Sequence, residues 1–302
     1  MGLISLAWGA SYLFIKVGLR DFSPPFIVFA RVVLGAAILL PLAWRSGAIA
    51  AMRGRWRMIW FLAVVQMAGP FLLITWGEEE ISSGLTGILV GSAPIFTALL
   101  AARGYADEPL GRWGAIGVVV GIAGVVLLFA SDLSGDTGQL FGGTLVLLAG
   151  VGYAVGGLTI KSRMSDVPPI GVASATMVAS AAVTAVPAAV ALPSSAGTDS
   201  VSALLALGAL GTGLAFLLFY TLLAEIGAPR ASVVAYLASA FSVVYGVILL
   251  GEEVTAGSIA GLALILFGSY VAAQRRLPWS PRPPVSRTAP SRSSAPEPVR
   301  AR

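Results

Sequence analysis

The 302-residue chain is 57% hydrophobic and only 11% charged, with a net charge of +5 and a mean hydropathy of +0.89. A soluble domain carries about a quarter charged residues and needs a polar surface, so the composition excludes an ordinary soluble enzyme and points to a polytopic membrane protein. With no Cys and no His, the chain has no disulfide, no thiolate or histidine metal site, no cysteine nucleophile and no Ser-His-Asp triad.

A bilayer core of about 30 Å takes roughly 20 apolar residues in a helix. Ten such runs follow one another, at 2–18, 25–44, 57–76, 83–102, 113–130, 143–161, 169–191, 203–223, 231–250 and 257–274. The first has neither a basic leader nor a small-residue cleavage site and reads as a retained helix. Runs eight and nine are parted by Glu225-Ile226-Gly227-Ala228-Pro229-Arg230, whose turn residues and charges predict two helices. The loops are short, leaving no room for a soluble domain. Residues 275–302 turn to Pro, Ser and Arg with no apolar period and are predicted to form a disordered basic tail.

Basic residues of short loops stay in the cytoplasm. Arg45, Arg53, Arg55 and Arg57 flank the second loop, Arg103 and Arg112 the fourth, Lys161 and Arg163 the sixth and Arg230 the eighth, and the tail holds seven more arginines. Sixteen of the nineteen basic residues thus share one side, predicting an inner-membrane protein with both termini cytoplasmic. The positive charge is a topology signal and calls for no nucleic-acid partner.

The halves match at an offset of about 145 residues. Lys16 meets Lys161, the chain's two lysines; Trp8 meets Tyr153; Pro24-Pro25 meets Pro168-Pro169; Glu80-Ile81 meets Glu225-Ile226. Ser92-Ala93-Pro94-Ile95-Phe96 falls on Leu237-Ala238-Ser239-Ala240-Phe241 and, after a one-residue slip, Glu108 falls on Glu252. Five helices per half is an odd number, so the second half is inverted in the membrane. Inverted repeats characterise alternating-access transporters, with the substrate held near the midplane. The expected organisation is all-α: ten transmembrane helices as two inverted five-helix repeats, 1–130 and 142–274, then the tail.

Trp8-Gly9-Ala10-Ser11-Tyr12 with Lys16, Ala93-Pro94-Ile95-Phe96, Glu108-Pro109-Leu110 with Gly117, and Tyr236-Leu237, Phe241 and Leu250-Gly251-Glu252 together resemble EamA-type transporters of the drug/metabolite transporter superfamily. The resemblance spans residues 1 to about 274. It implies two five-helix repeats around a central cavity and export or exchange of small metabolites such as amino acids, nucleobases, vitamins or drugs. Ser239 stands where the family often has proline, so a kink is not required of the ninth span. Asp107 replaces a usual glycine in a loop.

Candidate substrate-binding residues are those whose chemistry is expensive in a membrane. Arg31, two turns into the second span, can bind a carboxylate or bond helix-end carbonyls. Gln66, at the centre of the third, needs a partner from another helix or from substrate. Trp8 and Tyr12 share a face of the first span and can stack a flat ligand or anchor an interface. Tyr153, Tyr220, Tyr236 and Ser239 offer hydroxyls that serve packing or binding. Pro94 frees a backbone carbonyl and can form a cavity wall or hinge. Lys16 and Lys161 read as snorkelling anchors. Gly114, Gly117, Gly121 and Gly124 in the fifth span, and Gly257 and Gly261 in the tenth, are spaced for close helix contact.

All fourteen carboxylates fall in predicted loops, at helix ends or in the tail. Proton-driven carriers place an acid within the membrane, so uniport or exchange is expected, with proton-coupled efflux through helix-end Glu80 or Glu225 as the alternative. A lipid-modifying membrane enzyme and a non-transporting scaffold are the rivals from other classes; the first would need clustered acids, offered here only by Glu78-Glu79-Glu80. No cofactor or metal is expected. The expected partners are a small-molecule substrate and the lipid bilayer, for a monomer or homodimer.

Overall fold

The computed structural model describes residues 1–105, 110–133, 135–226 and 233–274. The helices are α1 (Gly2–Gly18), α2 (Pro24–Arg45), α3 (Trp56–Glu80), α4 (Ser83–Gly104), α5 (Gly111–Ser131), α6 (Thr137–Arg163), α7 (Pro169–Val190), α8 (Thr198–Gly208, a wide turn, then Ala215–Ile226), α9 (Val233–Leu250) and α10 (Ala256–Gln274). Among the described residues, nine are long and apolar enough to cross a membrane, and α1 is a shorter apolar helix. Ten membrane helices in two five-helix repeats are therefore the architecture. Glu108-Pro109, the turn Gly227-Ala228-Pro229-Arg230 and the tail lie outside the described residues.

Helix ends depart from the hydropathy runs where polar residues start or finish a helix. α6 begins at Thr137 because Asp136 caps it, its carboxylate accepting from Gly138 N–H at 3.1 Å. α3 continues through Glu78, Glu79 and Glu80, which hydropathy alone assigns to a loop. α9 runs unbroken through Ser239. Its repeat partner α4 breaks at Gly91-Ser92 and restarts with Pro94 in the first turn. There Ile95 N–H turns to Ser92 O at 2.9 Å, and the freed Gly91 carbonyl accepts Ser269 Oγ–H from α10 at 2.9 Å.

The inversion is visible in the neighbour relations. α1 packs on α8 and α9, and its counterpart α6 packs on α3 and α4. α2 packs on α8 as α7 packs on α3, while α2 meets α7, α4 meets α9 and α5 meets α10 across the pseudo-symmetry axis. The repeats share a further device: Ala63–Ala68 in α3 and Ala209–Leu214 in α8 each form a π-turn, at matching positions of the two halves (63 to 209, 68 to 214).

α5 and α10 meet through glycine. A Cβ on Gly124 would lie 2.8 Å from Leu264 Cβ and 3.0 Å from Gly261 O, and one on Gly117 would lie 2.7 Å from Gly268 O. The backbones therefore touch directly. The outer surface is apolar, with Trp44, Val119, Val186 and Ile248 more than two-thirds exposed, as lipid contact requires.

The bundle has two ends. The odd face carries the loops 19–23, 81–82, 132–136, 191–197 and 251–255, and the even face carries 46–55 and 164–168. On the odd face, Asp21 accepts from Gly197 N–H at 2.9 Å, Ser200 Oγ donates to Val17 O at 3.2 Å, and Asp132 accepts from Thr255 Oγ1 and Ser258 Oγ at 2.6 and 2.9 Å. Glu252 accepts from Ser83 N–H at 2.7 Å and Gly84 N–H at 2.9 Å, covering the open N-terminus of α4 with a negative charge. The even face is joined by the Arg55–Asp166 ion pair, with one hydrogen bond at 3.0 Å, and by Arg55 donating to Arg163 O at 3.2 Å. The Arg55 hydrogen bond, above all, holds the Asp166 carboxyl below the usual carboxylate range.

Candidate substrate site

Two apolar clusters flank the interior. One gathers Val28, Val32, Leu39, Met67, Phe71 and Met177; the other gathers Ile15, Ile27, Ile74, Ala149, Leu204 and Leu207. Tyr153 of α6 packs against both, and Tyr12 of α1 packs against the second. The seam between them is where polar side chains collect.

Arg31 is on the inward stripe of α2 with Ile27, Val28 and Gly35, at i+3/i+4 spacing. It is only 5% exposed. Its guanidinium lies 3.7 Å from the centroid of the Phe71 ring, and Nε donates to Thr212 Oγ1 at 3.3 Å. Thr212 sits in the π-turn of α8 and itself donates to Leu207 O at 2.9 Å, a carbonyl the wide turn releases. Stacking fixes the plane of the guanidinium and leaves its Nη edge without a hydrogen bond among the described residues. The Tyr12 and Tyr153 hydroxyls likewise make none, and both interact electrostatically with Arg31.

Glu78 completes the cluster, and it sits at a helix end, where the sequence places the carboxylates. It lies in the last turn of α3 yet has 0% exposure. Phe71, Ile74, Thr75 and Glu78 form one buried stripe, while Glu79 and Glu80 are exposed. Helix rotation, not depth in the sequence run, decides which of the three acids faces inward. Tyr12, Arg31 and Lys16 all interact electrostatically with Glu78.

Lys16 is an anchor of a specific kind. Its ammonium donates to the main-chain oxygens of Glu78 and Ile81, the latter at 2.9 Å, and so caps the C-terminus of α3. The exposed ends proposed for proton coupling lie elsewhere: Glu80 is beside Gly138 at the start of α6, and Glu225 is exposed near the end of α8.

The other sequence candidates do not join this cluster. Trp8 packs with Phe219 at 4.9 Å and Phe216 at 5.8 Å, beside Ile4, Ala215 and Val234. Gln66 lies in the α3 π-turn and presses on Gly156 of α6, with its Oε1 buried and unbonded. Ser239 donates to Ala235 O at 3.3 Å and faces Gly91 at the break in α4. Tyr236 is buried in α9, and Pro94 is half-buried. The side chain of Tyr220 lies outside the described residues. An open recess of about 460 Å³ lined by Leu13, Phe14, Val17 and Ala203 uses a different face of α1 from Tyr12. Sequence reasoning missed Glu78, Thr212 and Phe71. The i, i+3/i+4 stripe in α3 signals Glu78, whereas the register that pairs Gln66 with Thr212 comes from the two π-turns.

A ten-helix bundle of two inverted repeats with a charged cluster inside it defines a membrane transporter. The sequence profile of the EamA-like transporter family matches residues 1–130 and 140–274, and the chain belongs to that family. It is 26% identical to the Bacillus subtilis "Uncharacterized transporter YoaV" over 90% of this chain and 95% of that one. It is also 26% identical to a Salmonella typhimurium "Probable amino-acid metabolite efflux pump", over 89% and 92% of the two chains. A solved crystal structure shares the fold at a TM-score of 0.65 and 22% identity, covering 90% of this chain and 96% of that one.

Proposed function

We propose that the protein exports or exchanges a small metabolite bearing a carboxylate, such as an amino acid, by alternating access through the cluster of Tyr12, Arg31 and Tyr153. The observation that carries this is the stacked, buried Arg31, whose Nη edge is unengaged beside two unengaged tyrosine hydroxyls. A planar fork held over Phe71 matches a carboxylate in two parallel hydrogen bonds. The efflux pump named among the relatives supports the amino-acid assignment.

In this reading the protein lies in the inner membrane with its termini and even face in the cytoplasm, following the basic loops. The odd face, latched by Asp21, Asp132, Glu252 and Lys16, is the closed outer gate. Metabolite profiling of the medium from cells overexpressing the protein tests the reading. A solute should accumulate with the wild type and not with Arg31→Ala; an unchanged medium in both cases would count against export.

A further inference from the structure

Glu78 is the one fully enclosed acid among the described residues, and neither of its carboxyl oxygens has a hydrogen-bond partner. No Lys or Arg nitrogen among those residues lies within 4.0 Å of either carboxyl oxygen. Lys16 spends its ammonium on the main-chain oxygens of Glu78 and Ile81.

The charged and titratable groups facing Glu78 are few. They are Lys16 and Tyr12 from α1, Arg31 from α2, and Glu252 from the loop before α10. On the α6 surface against this turn of α3, Gly142 and Val146 meet Gly77, and neither can titrate. At the start of α4, the Ser83 hydroxyl is also buried and unpartnered. An unpaired carboxylate in such a place is strongly unfavourable. Two things relieve it: a proton, or a cation brought by a ligand.

We propose that Glu78 is the coupling site of the carrier, holding in turn a proton and the ammonium group of a zwitterionic substrate whose carboxylate rests on Arg31. The inference rests on the transport reading above. The exchange balances: the O–H bond of the Glu78 carboxyl breaks as the ammonium arrives, and the proton passes to water on whichever side the site is open. Both ligands need the same two oxygens, so only one is carried at a time. Proton entry then drives substrate exit, and each cycle of a neutral zwitterion moves one positive charge inward. Glu79, Glu80 and Glu225 are exposed to solvent and cannot exclude water in this way.

The test uses full-length protein in liposomes with the same radiolabelled mixture of L-amino acids inside and outside, with potassium and valinomycin clamping the potential at zero. An outside pH about one unit lower should drive the internal label down by up to roughly tenfold, the limit one pH unit sets. Glu78→Gln should abolish that gradient-driven loss, and Glu78→Asp should keep part of it. The Gln variant should melt no lower than wild type, because it removes a buried ionisable group without changing shape. Label loss that ignores the gradient, or that persists in Glu78→Gln, overturns the proposal while leaving transport intact. If no label moves, the amino-acid transport reading fails instead. Glu78 is then judged by total proton uptake of the solubilised protein titrated from about pH 10 down to about pH 4, which spans the documented range for buried carboxyls. Glu78→Gln should take up one proton fewer, and equal uptake overturns the proposal.

Discussion

Gln66 of α3 and Thr212 of α8 occupy the same place in two π-turns that the halves of the chain share. Their surroundings have diverged. Gln66 presses against Gly156 of α6, while Thr212 accepts from Arg31 and donates to Leu207 O. One repeat uses the wide turn to pack a helix, and the other uses it to hold a charge.

Thr212→Val keeps the shape and removes the hydroxyl. It leaves Arg31 Nε and the Leu207 carbonyl unpaired, which costs about 1–3 kcal/mol for each buried group. The expected result is a lowered melting temperature and weakened transport, with Thr212→Ser close to wild type. Thermal unfolding in detergent and a liposome efflux assay measure the two effects.

Arg31→Lys keeps the charge but loses the planar fork stacked on Phe71. Hydrogen bonds to charged groups contribute about 1.5–3 kcal/mol, so transport should fall roughly ten- to a hundredfold. The loss should appear mainly as a raised half-saturating substrate concentration in efflux kinetics. Rescue by lysine to near wild-type rates would show that charge alone suffices.

The contact of α5 with α10 has no room for side chains at its glycines. Gly124→Val would drive its methyl groups into Leu264 and the backbone at Ile265. Overpacking of this kind costs about 1–3 kcal/mol. A drop of several degrees in melting temperature is expected, measured by thermal unfolding in detergent, with Gly124→Ala intermediate.

The Arg55–Asp166 pair should make the even face pH-dependent. Asp166 has a carboxyl pKa depressed in the folded protein, chiefly by its hydrogen bond to Arg55. A depressed carboxylate contributes stability that is full above its unfolded value of about 3.9 and is lost as pH falls through the lower folded value. The latch should therefore hold at neutral pH and release in strong acid. Because the chain has no cysteine, a single Tyr153→Cys reports access from that face. Its thiol labelling at neutral pH should quicken when Asp166→Asn is added, and unchanged labelling would remove the latch role.

The spans, the repeat and the family were legible because they depend on periodic features: apolar runs, basic loops and an offset near 145. Glycine contacts were legible for Gly117, Gly121, Gly124 and Gly261, since small residues at helical spacing have few other uses. Gly268 lies on the same face two turns beyond Gly261, but the wider spacing makes it less conspicuous. Glu78 was hidden by Glu79 and Glu80, a run that reads as a loop until helix rotation separates one inward acid from two outward ones. The meeting of Tyr12, Arg31, Tyr153 and Glu78 joins four helices. No local pattern announces it, because only the packing of α1, α2, α3 and α6 brings them together.

Helix α4 is interrupted at Gly91-Ser92, whereas α9 passes Ser239 without a break. Carriers of this design are commonly pictured as reversing themselves by letting each half adopt the shape of the other. Here the two halves do not own the same set of shapes. One contains a joint with a carbonyl tethered to Ser269; the other has an unbroken helical rod in its place. Opening towards one side of the membrane would bend that joint, and opening towards the other would have to slide the rod. The two movements would then meet different barriers, so one reorientation would limit the pace of the whole cycle while the gradients alone set its direction.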